Sequence, residues 1–467
     1  MIKSNNDSAL TTKNEVNRAL AAKKWSHRRF IVGLTALAVS LALQAQDFAR
    51  LSEQTIIGTA RYVGMSGAMS AIGGDPSAAH DNVAGLGLYR RPELLVSIET
   101  YHERTRQNTD PTKNSTTVMV PQASLVYSLP TNNLSDEGVL FHNFMFSYRR
   151  LHTYHRRWAA QGTNGPSLGA LIEHADTKWD IDFCKDRMNA TNAIGISEYG
   201  AVNEFDLSWA MNISNRWFVG LGLAVQSYSL NSDAVYYETF DRKNGEGKTF
   251  SNQNSSNLLL TGIGVGASVG IICRPAKWVR LGFGLRTPTV GKLATYTSGN
   301  LRAQADTFGI SYAGDFVYND PKFHLPIHLS SSLAFQVGAY GFVAFQYDYI
   351  KHSQCDPLHS LRAGIEIVPV LGFYINAGYA YESSFNNVDK IISMDPTFER
   401  QDTYCVNPKA AQYISAALGY RGAHIIVQAA YQYRWQYVNL YAHENADPYF
   451  MRADTHRVVL TLGWHKN

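Results

Sequence analysis

The stretch His456-Arg457-Val458-Val459-Leu460-Thr461-Leu462-Gly463-Trp464 decides the fold. In a strand, Val458, Leu460, Leu462 and Trp464 point one way, while Arg457, Val459, Thr461 and Gly463 point the other. One face is apolar along its length and ends in an aromatic residue, three residues before the C-terminus. At the end of an exported chain, this pattern suits the closing strand of an outer-membrane β-barrel. Such a barrel has an apolar lipid face, a polar lumen and aromatic rims.

Export is expected from the other end. Arg28-Arg29 precede an apolar run over residues 30–43, followed by Gln44-Ala45-Gln46. A basic n-region, a short apolar h-region and a small residue describe a secretory signal over residues 1–45, cut after Ala45. The run is shorter than the roughly 20 apolar residues a membrane-spanning helix needs. Residues 1–45 carry seven basic and two acidic side chains, so removing them takes the formal charge from +4 to −1. The basicity thus belongs to the signal and gives no reason to expect nucleic acid. What remains is rich in Tyr (27), Phe (21), Trp (8) and Gly (36) over the whole chain, as a barrel with one-sided apolar strands would be. Cys184, Cys273, Cys355 and Cys405 show no metal-ligand spacing. Export would permit a disulfide between Cys355 and Cys405, in neighbouring external loops; unpaired thiols are the alternative.

Other segments repeat the period of two. Trp217, Val219, Leu221, Leu223 and Val225 alternate with Phe218, Gly220, Gly222, Ala224 and Gln226. Ile263, Val265, Ala267, Val269 and Ile271 alternate with Gly262, Gly264, Gly266, Ser268 and Gly270. Residues 342–349, 373–381 and 425–434 behave alike. Short turns are predicted near 130–137, 214–216, 274–277, 338–341, 368–372 and 420–423. Long connections are predicted near 105–116, 154–199, 233–256, 288–322, 351–359, 384–408 and 438–453. Alternating short and long connections mark periplasmic turns and external loops. The expectation is all-β: a 14-stranded antiparallel transmembrane β-barrel over residues 93–467, with residues 300–316 part of a hairpin outside the membrane. Residues 46–92, dense in small side chains, read as a hatch (plug) folded inside the lumen, which fourteen strands leave wide enough to need one.

The hatch residues carry a resemblance. Gly58-Thr59-Ala60-Arg61-Tyr62-Val63-Gly64-Met65-Ser66-Gly67-Ala68, Gly73-Gly74-Asp75 and Asn82-Val83-Ala84-Gly85-Leu86 resemble the hatch of the FadL/TodX family of outer-membrane transport proteins, in its Bacteroidetes-type version. Arg274-Pro275, the run from Arg280 to Thr289 and Arg362-Ala363-Gly364-Ile365-Glu366 echo the same family. Val83 stands where the family has a proline; Asn82 and Ala84 match. The resemblance implies a passive channel in the outer membrane of a Gram-negative cell. Hydrophobic small molecules such as long-chain fatty acids or aromatic hydrocarbons would enter from outside and leave sideways through a gap in the wall. Escape into lipid spares apolar cargo a passage through water.

Candidate functional residues follow. Gly64, Gly67, Gly73, Gly74 and Gly85 permit a tight hatch that either moves or stays a static plug, with Asp75, Asn82 and Ala84 holding its turns. Arg434 and Arg457 face the lumen and need partners, either Asp75 or Asp81 of the hatch or wall carboxylates such as Asp348. Leu168, Leu171 and Ile172 form a helical apolar stripe in the 154–199 loop that suits ligand capture, or packing on the barrel rim. Pro121 interrupts the second strand and marks a bulge or broken pairing, a pointer to a wall opening. The run His152-Thr153-Tyr154-His155-Arg156-Arg157 reads as a charged rim. No Gly-x-Ser-x-Gly, P-loop or zinc spacing is present, so no enzyme, metal or cofactor is expected. The expected partners are a hydrophobic ligand and outer-membrane lipid. In the alternative function, the barrel is a carrier or docking platform for exported proteins, with a sealed lumen and a large external patch.

Overall fold

The structure is a computed structural model. It describes residues 51, 53, 55–107, 112–132, 137–163, 187–242, 249–305, 308–313, 317–319, 322–351, 357–384, 404–443 and 446–466. Fourteen antiparallel wall strands run through the described residues. They are β1 (Glu93–Gln107), β2 (Thr112–Pro130), β3 (Val139–Thr153, then Arg156–Thr163), β4 (Arg187–Ile213) and β5 (Trp217–Arg242). Next come β6 (Thr249–Ala276), β7 (Val279–Arg286, then Val290–Ala305) and β8, in four pieces from Phe308 to Val337. The wall continues with β9 (Gly341–Lys351), β10 (Leu358–Val370) and β11 (Phe373–Glu382), and ends with β12 (Cys405–Arg421), β13 (Ile425–Tyr441) and β14 (Tyr449–His465). The last strand pairs with the first from Glu93↔His465 to Gln107↔Met451, which closes the barrel.

The alternation read from the sequence is the alternation of the wall. Val458, Leu460, Leu462 and Trp464 are 48%, 54%, 59% and 50% exposed, whereas Arg457, Val459 and Thr461 are buried. Leu94, Val96 and Ile98 on β1, and Ile425 and Val427 on β13, continue the same exposed apolar belt. The pairing of β1 with β14 removes the two sheet edges that an unclosed wall would leave in the belt.

The short turns fall where expected, for example at Ser214 and Asn215, both at positive φ. The long connections are shorter than expected. β5 and β6 stay paired from Trp217↔Cys273 out to Asp241↔Thr249, and β4 follows β5 to Arg187↔Arg242. These outer ribbons are rich in Ser, Asn and Thr, so composition suggested loop while the backbone ladder simply continues. Residues 308–313 pair back onto residues 300–305, the hairpin extension expected there.

Residues 55–89 lie inside the barrel, and Arg90 and Arg91 are exposed. The inner segment contains α1 (Ala60–Gly64), α2 (Ala78–Asp81) and a 3-10 helix (Val83–Leu88), each mostly buried. Helices of one or two turns are unstable alone. Contacts with the wall hold them. The expected signal peptide, Cys184 and Cys355 lie outside the described residues; Cys405 is buried at the outer end of β12.

Candidate functional site

The hatch closes on itself through the residues its sequence singled out. Thr59 caps α1, accepting from Tyr62 N at 3.2 Å, and donates through Oγ1 to Asp75 Oδ2 at 2.7 Å. Asp75 Oδ1 accepts from Ser77 N at 2.8 Å, so one carboxylate ties the start of α1 to the turn before α2. Asn82 caps the 3-10 helix, its Oδ1 accepting from Ala84 N at 3.1 Å. Val83 is the first helical residue, a position where a proline would fit without losing a needed hydrogen bond. Gly73 and Gly74 take φ of +63° and +65°, and Gly67 +77°. A Cβ on Gly64 would lie 2.2 Å from Ala417 Cβ, and one on Gly85 would lie 3.2 Å from Gly73 Cα.

Charged and polar wall residues grip the hatch from most sides. Arg61 forms a fork with Glu366 of β10 at 2.6 and 2.8 Å. Arg362 of β10 lies 3.2 Å from Asp81 and 3.1 Å from Asp348 of β9. Glu204 of β4 accepts from Arg286 of β7 and meets His80 Nδ1 at 2.9 Å. Arg149 of β3 donates to the carbonyls of Ser77 and Ile57 at 2.7 and 2.6 Å, and Arg280 of β7 to that of Ile72 at 2.6 Å. Ser415 of β12 meets the Ser66 hydroxyl at 2.6 Å. Buried ion pairs add little net stability but fix a single arrangement, because leaving one partner alone is costly.

Wall glycines bring the hatch backbone close. A Cβ on Gly284 would come within 2.1 Å of the Asp81 carbonyl oxygen, and one on Gly378 within 2.4 Å of the Met65 carbonyl carbon. Gly270 leaves the space that Asn82 Oδ1 fills, at 2.0 Å from where its Cβ would stand. Sequence reading placed some of these glycines on the inner face without seeing that they mark the docking track.

Arg434 and Arg457 both face the lumen, but neither pairs with Asp75 or Asp81. Asp81 is taken by Arg362 and by the Tyr62 hydroxyl at 2.7 Å, and Asp75 by Thr59 and Ser77. Arg457 sits beside the wall carboxylate of Glu99 at 3.5 Å and donates to Ile56 O at 3.2 Å. Arg434 donates to Tyr413 and Gln436 at 3.1 and 2.6 Å. The run at 152–157 is not a rim: His152, Thr153, Tyr154 and Arg156 are buried, and Arg156 pairs with Glu198 and, at 3.3 Å, with Glu53. Leu168, Leu171 and Ile172 lie outside the described residues.

Above the hatch the interior holds two apolar clusters beside the buried Arg156–Glu198 pair. Leu51, Leu151, Tyr154, Val202, Tyr228 and Leu325 belong to one buried cluster. Trp158, Ile194, Tyr236, Tyr404, Val438 and Met451 belong to a second, near the outer ends of the strands. Beside Leu51 and Leu325 a cavity of about 20 Å³ remains, room for about one water molecule.

The wall breaks at Pro121. β2 and β3 pair from Gln122↔Arg149 to Pro130↔Phe141 and no further outward among the described residues. Opposite, the β1–β2 register shifts between Ser97 and Glu99, so β2 bulges at Val120 and Pro121. Beyond Thr153, β3 turns inward. Gln161 N donates to Gln107 Oε1 at 2.9 Å, and Trp158 and Ala160 join the apolar cluster. Proline's missing N–H explains why pairing stops on β2. The inward course of β3 had no signal in the sequence beyond its apolar Trp158-Ala159-Ala160.

Neither a sequence-family model nor a curated protein sequence matches this chain. Solved structures do. A FadL homologue from Pseudomonas aeruginosa aligns with a TM-score of 0.54 at 13% identity, over 88% of this chain and 98% of its own. The toluene transporter TodX of P. putida aligns at 0.51 and 13%, over 88% and 99%. The toluene transporter TbuX of Ralstonia pickettii aligns at 0.51 and 12%, again over 88% and 99%. With fourteen closed strands around an N-terminal plug, the chain has the fold of the FadL and TodX channels.

Proposed function

We propose that this barrel sits in the outer membrane of a Gram-negative cell and passes hydrophobic small molecules inward without an energy source. Ligand is captured outside, with Leu168, Leu171 and Ile172 as the capture stripe. It moves through the interior and leaves sideways between β2 and β3. The observation that carries this reading is the break in the wall at Pro121, beside a buried apolar cluster and above a hatch held by buried ion pairs. A polar solute gains nothing from an exit into lipid, whereas an apolar one avoids water throughout. The fold shared with the toluene transporters TodX and TbuX supports the same class of cargo. A cavity of about 20 Å³ is too small for such cargo, so passage requires its lining residues, Leu51 and Glu53 among them, to shift.

The test is uptake of radiolabelled toluene and of a long-chain fatty acid by cells carrying the full chain or Pro121→Val. The valine restores an N–H donor to β2 and favours pairing with β3. Uptake falling about tenfold or more, with the amount of folded barrel unchanged, is the expected result. Equal uptake by both proteins removes the side exit from the mechanism. Absence of uptake by the unaltered chain, together with a co-purifying exported protein, replaces transport by the docking function.

A further inference from the structure

We propose that the outer wall where β13, β14 and β1 meet binds a phosphorylated lipid of the surrounding leaflet. The proposal rests on the barrel spanning a membrane and not on what it transports.

Outward-facing residues on these strands form cross-strand rows fixed by register. Nearest the apolar belt, Thr100, Val458 and Tyr431 lie side by side. The next row outward is His102, His456 and Tyr433, then Arg104, Asp454 and Trp435, then Arg106, Arg452 and Tyr437. The wall therefore passes from aliphatic to aromatic to guanidinium in successive rows. Asp454 lies ten residues outward of Trp464 along β14. At about 3.4 Å per residue and a tilt of about 40°, that is about 26 Å along the membrane normal, close to the height of a barrel's apolar band. The guanidiniums thus stand at headgroup level.

The rows are rigid. His456 Nδ1 meets the Tyr431 hydroxyl at 2.7 Å, and its ring stacks on Tyr433 at 5.0 Å. Tyr433 donates to Asp454 at 2.6 Å, and Arg452 donates to Asp454 at 2.9 Å and to the Tyr433 oxygen at 3.0 Å. Arg106 reaches the other Asp454 oxygen at 3.4 Å. Arg104 is exposed and has no ion-pair partner among the described residues. Three guanidiniums against one carboxylate leave two positive charges. Arg104 and Arg106 line an outer-wall groove of about 520 Å³ together with Ile414, Tyr431, Asp454 and His456.

Charge and shape select the occupant. An acyl chain fits along Ile414 and Tyr431, continuous with the belt. The head above it must be anionic. Arg104 and Arg106 on β1 and Arg452 on β14 approach from two strands. A phosphate offers acceptors in several directions, whereas a carboxylate is satisfied by one guanidinium fork.

The experiment is native mass spectrometry of the full chain in detergent. It is titrated with phosphatidic acid and with diacylglycerol of the same acyl chains, which lacks only the phosphate. Phosphatidic acid should bind about tenfold more tightly, the scale of one charge-assisted hydrogen bond. The triple variant Arg104→Gln, Arg106→Gln, Arg452→Gln should lose that preference, while Arg216→Gln, at a turn on the opposite end, should keep it. Arg104→Gln alone breaks no ion pair, so it tests the idea even if the triple variant fails to fold, and should lower the preference about threefold. Equal binding of the two lipids overturns the proposal, as does an unchanged preference in both variants. Displacement by millimolar inorganic phosphate alone, or equal retention of oleate, overturns the lipid-phosphate assignment. Toluene uptake by the same variants should be unchanged, so loss of the transport reading would leave this result standing.

Discussion

Arg362 stands between Asp81 of the hatch and Asp348 of the wall, and all three side chains are buried. Arg362→Ala would take from two buried carboxylates the guanidinium they share, a cost of about 3–5 kcal/mol. Hydrogen exchange should show lost protection across residues 60–85 while the β12–β14 amides stay protected; unchanged hatch protection would mean the anchor is redundant. Gly284 offers the steric counterpart. Gly284→Leu puts a side chain where the Asp81 carbonyl oxygen now sits and should unseat the hatch at about 1–3 kcal/mol. Planar-bilayer recordings should then show larger and more frequent openings than the unaltered barrel. At this scale the sequence disclosed direction but not partners. Parity on β13 and β14 placed Arg434 and Arg457 inside, because facing is a local property of a strand. Which carboxylate each one meets depends on how deep the hatch sits, and the glycine track of Gly270, Gly284 and Gly378 sets that depth through contacts remote in sequence.

Among the elements, β2 and β3 carry the feature most relevant to the proposed transport, and they were legible to different degrees. Pro121 removes a donor, which the sequence states outright. The turn of β3 into the lumen after Thr153 comes from tertiary burial of Trp158, which local pattern cannot distinguish from an exposed rim. The hatch poses a different question: whether α1 must leave β12 during passage. Ser66 and Ser415 hydroxyls are 2.6 Å apart, close enough for a disulfide in the double variant Ser66→Cys, Ser415→Cys. Oxidised, this variant should take up toluene several-fold more slowly than when reduced, on the scale of about 1 kcal/mol of barrier or more. Full uptake by the oxidised form would make the hatch near Ser66 a fixed plug and confine the motion to residues around Leu51.

Over the whole molecule, the architecture tolerates wide change in sequence, since structures only 12–13% identical share it. The constraint is on alternation and closure, which many side chains satisfy. The seam between β1 and β14 makes closure a late event. The Ser97 and Thr461 hydroxyls meet at 2.7 Å across 364 positions of chain, and Thr461 also receives the Ala60 amide from 401 positions away. Neither contact exists until the last strand is made. Loop closure of that length forms slowly compared with neighbouring hairpins. The ribosome must therefore finish before the wall can seal. Until then β1 and β14 are two unsatisfied edges, prone to pair with other chains, so the polypeptide needs an escort from synthesis to membrane.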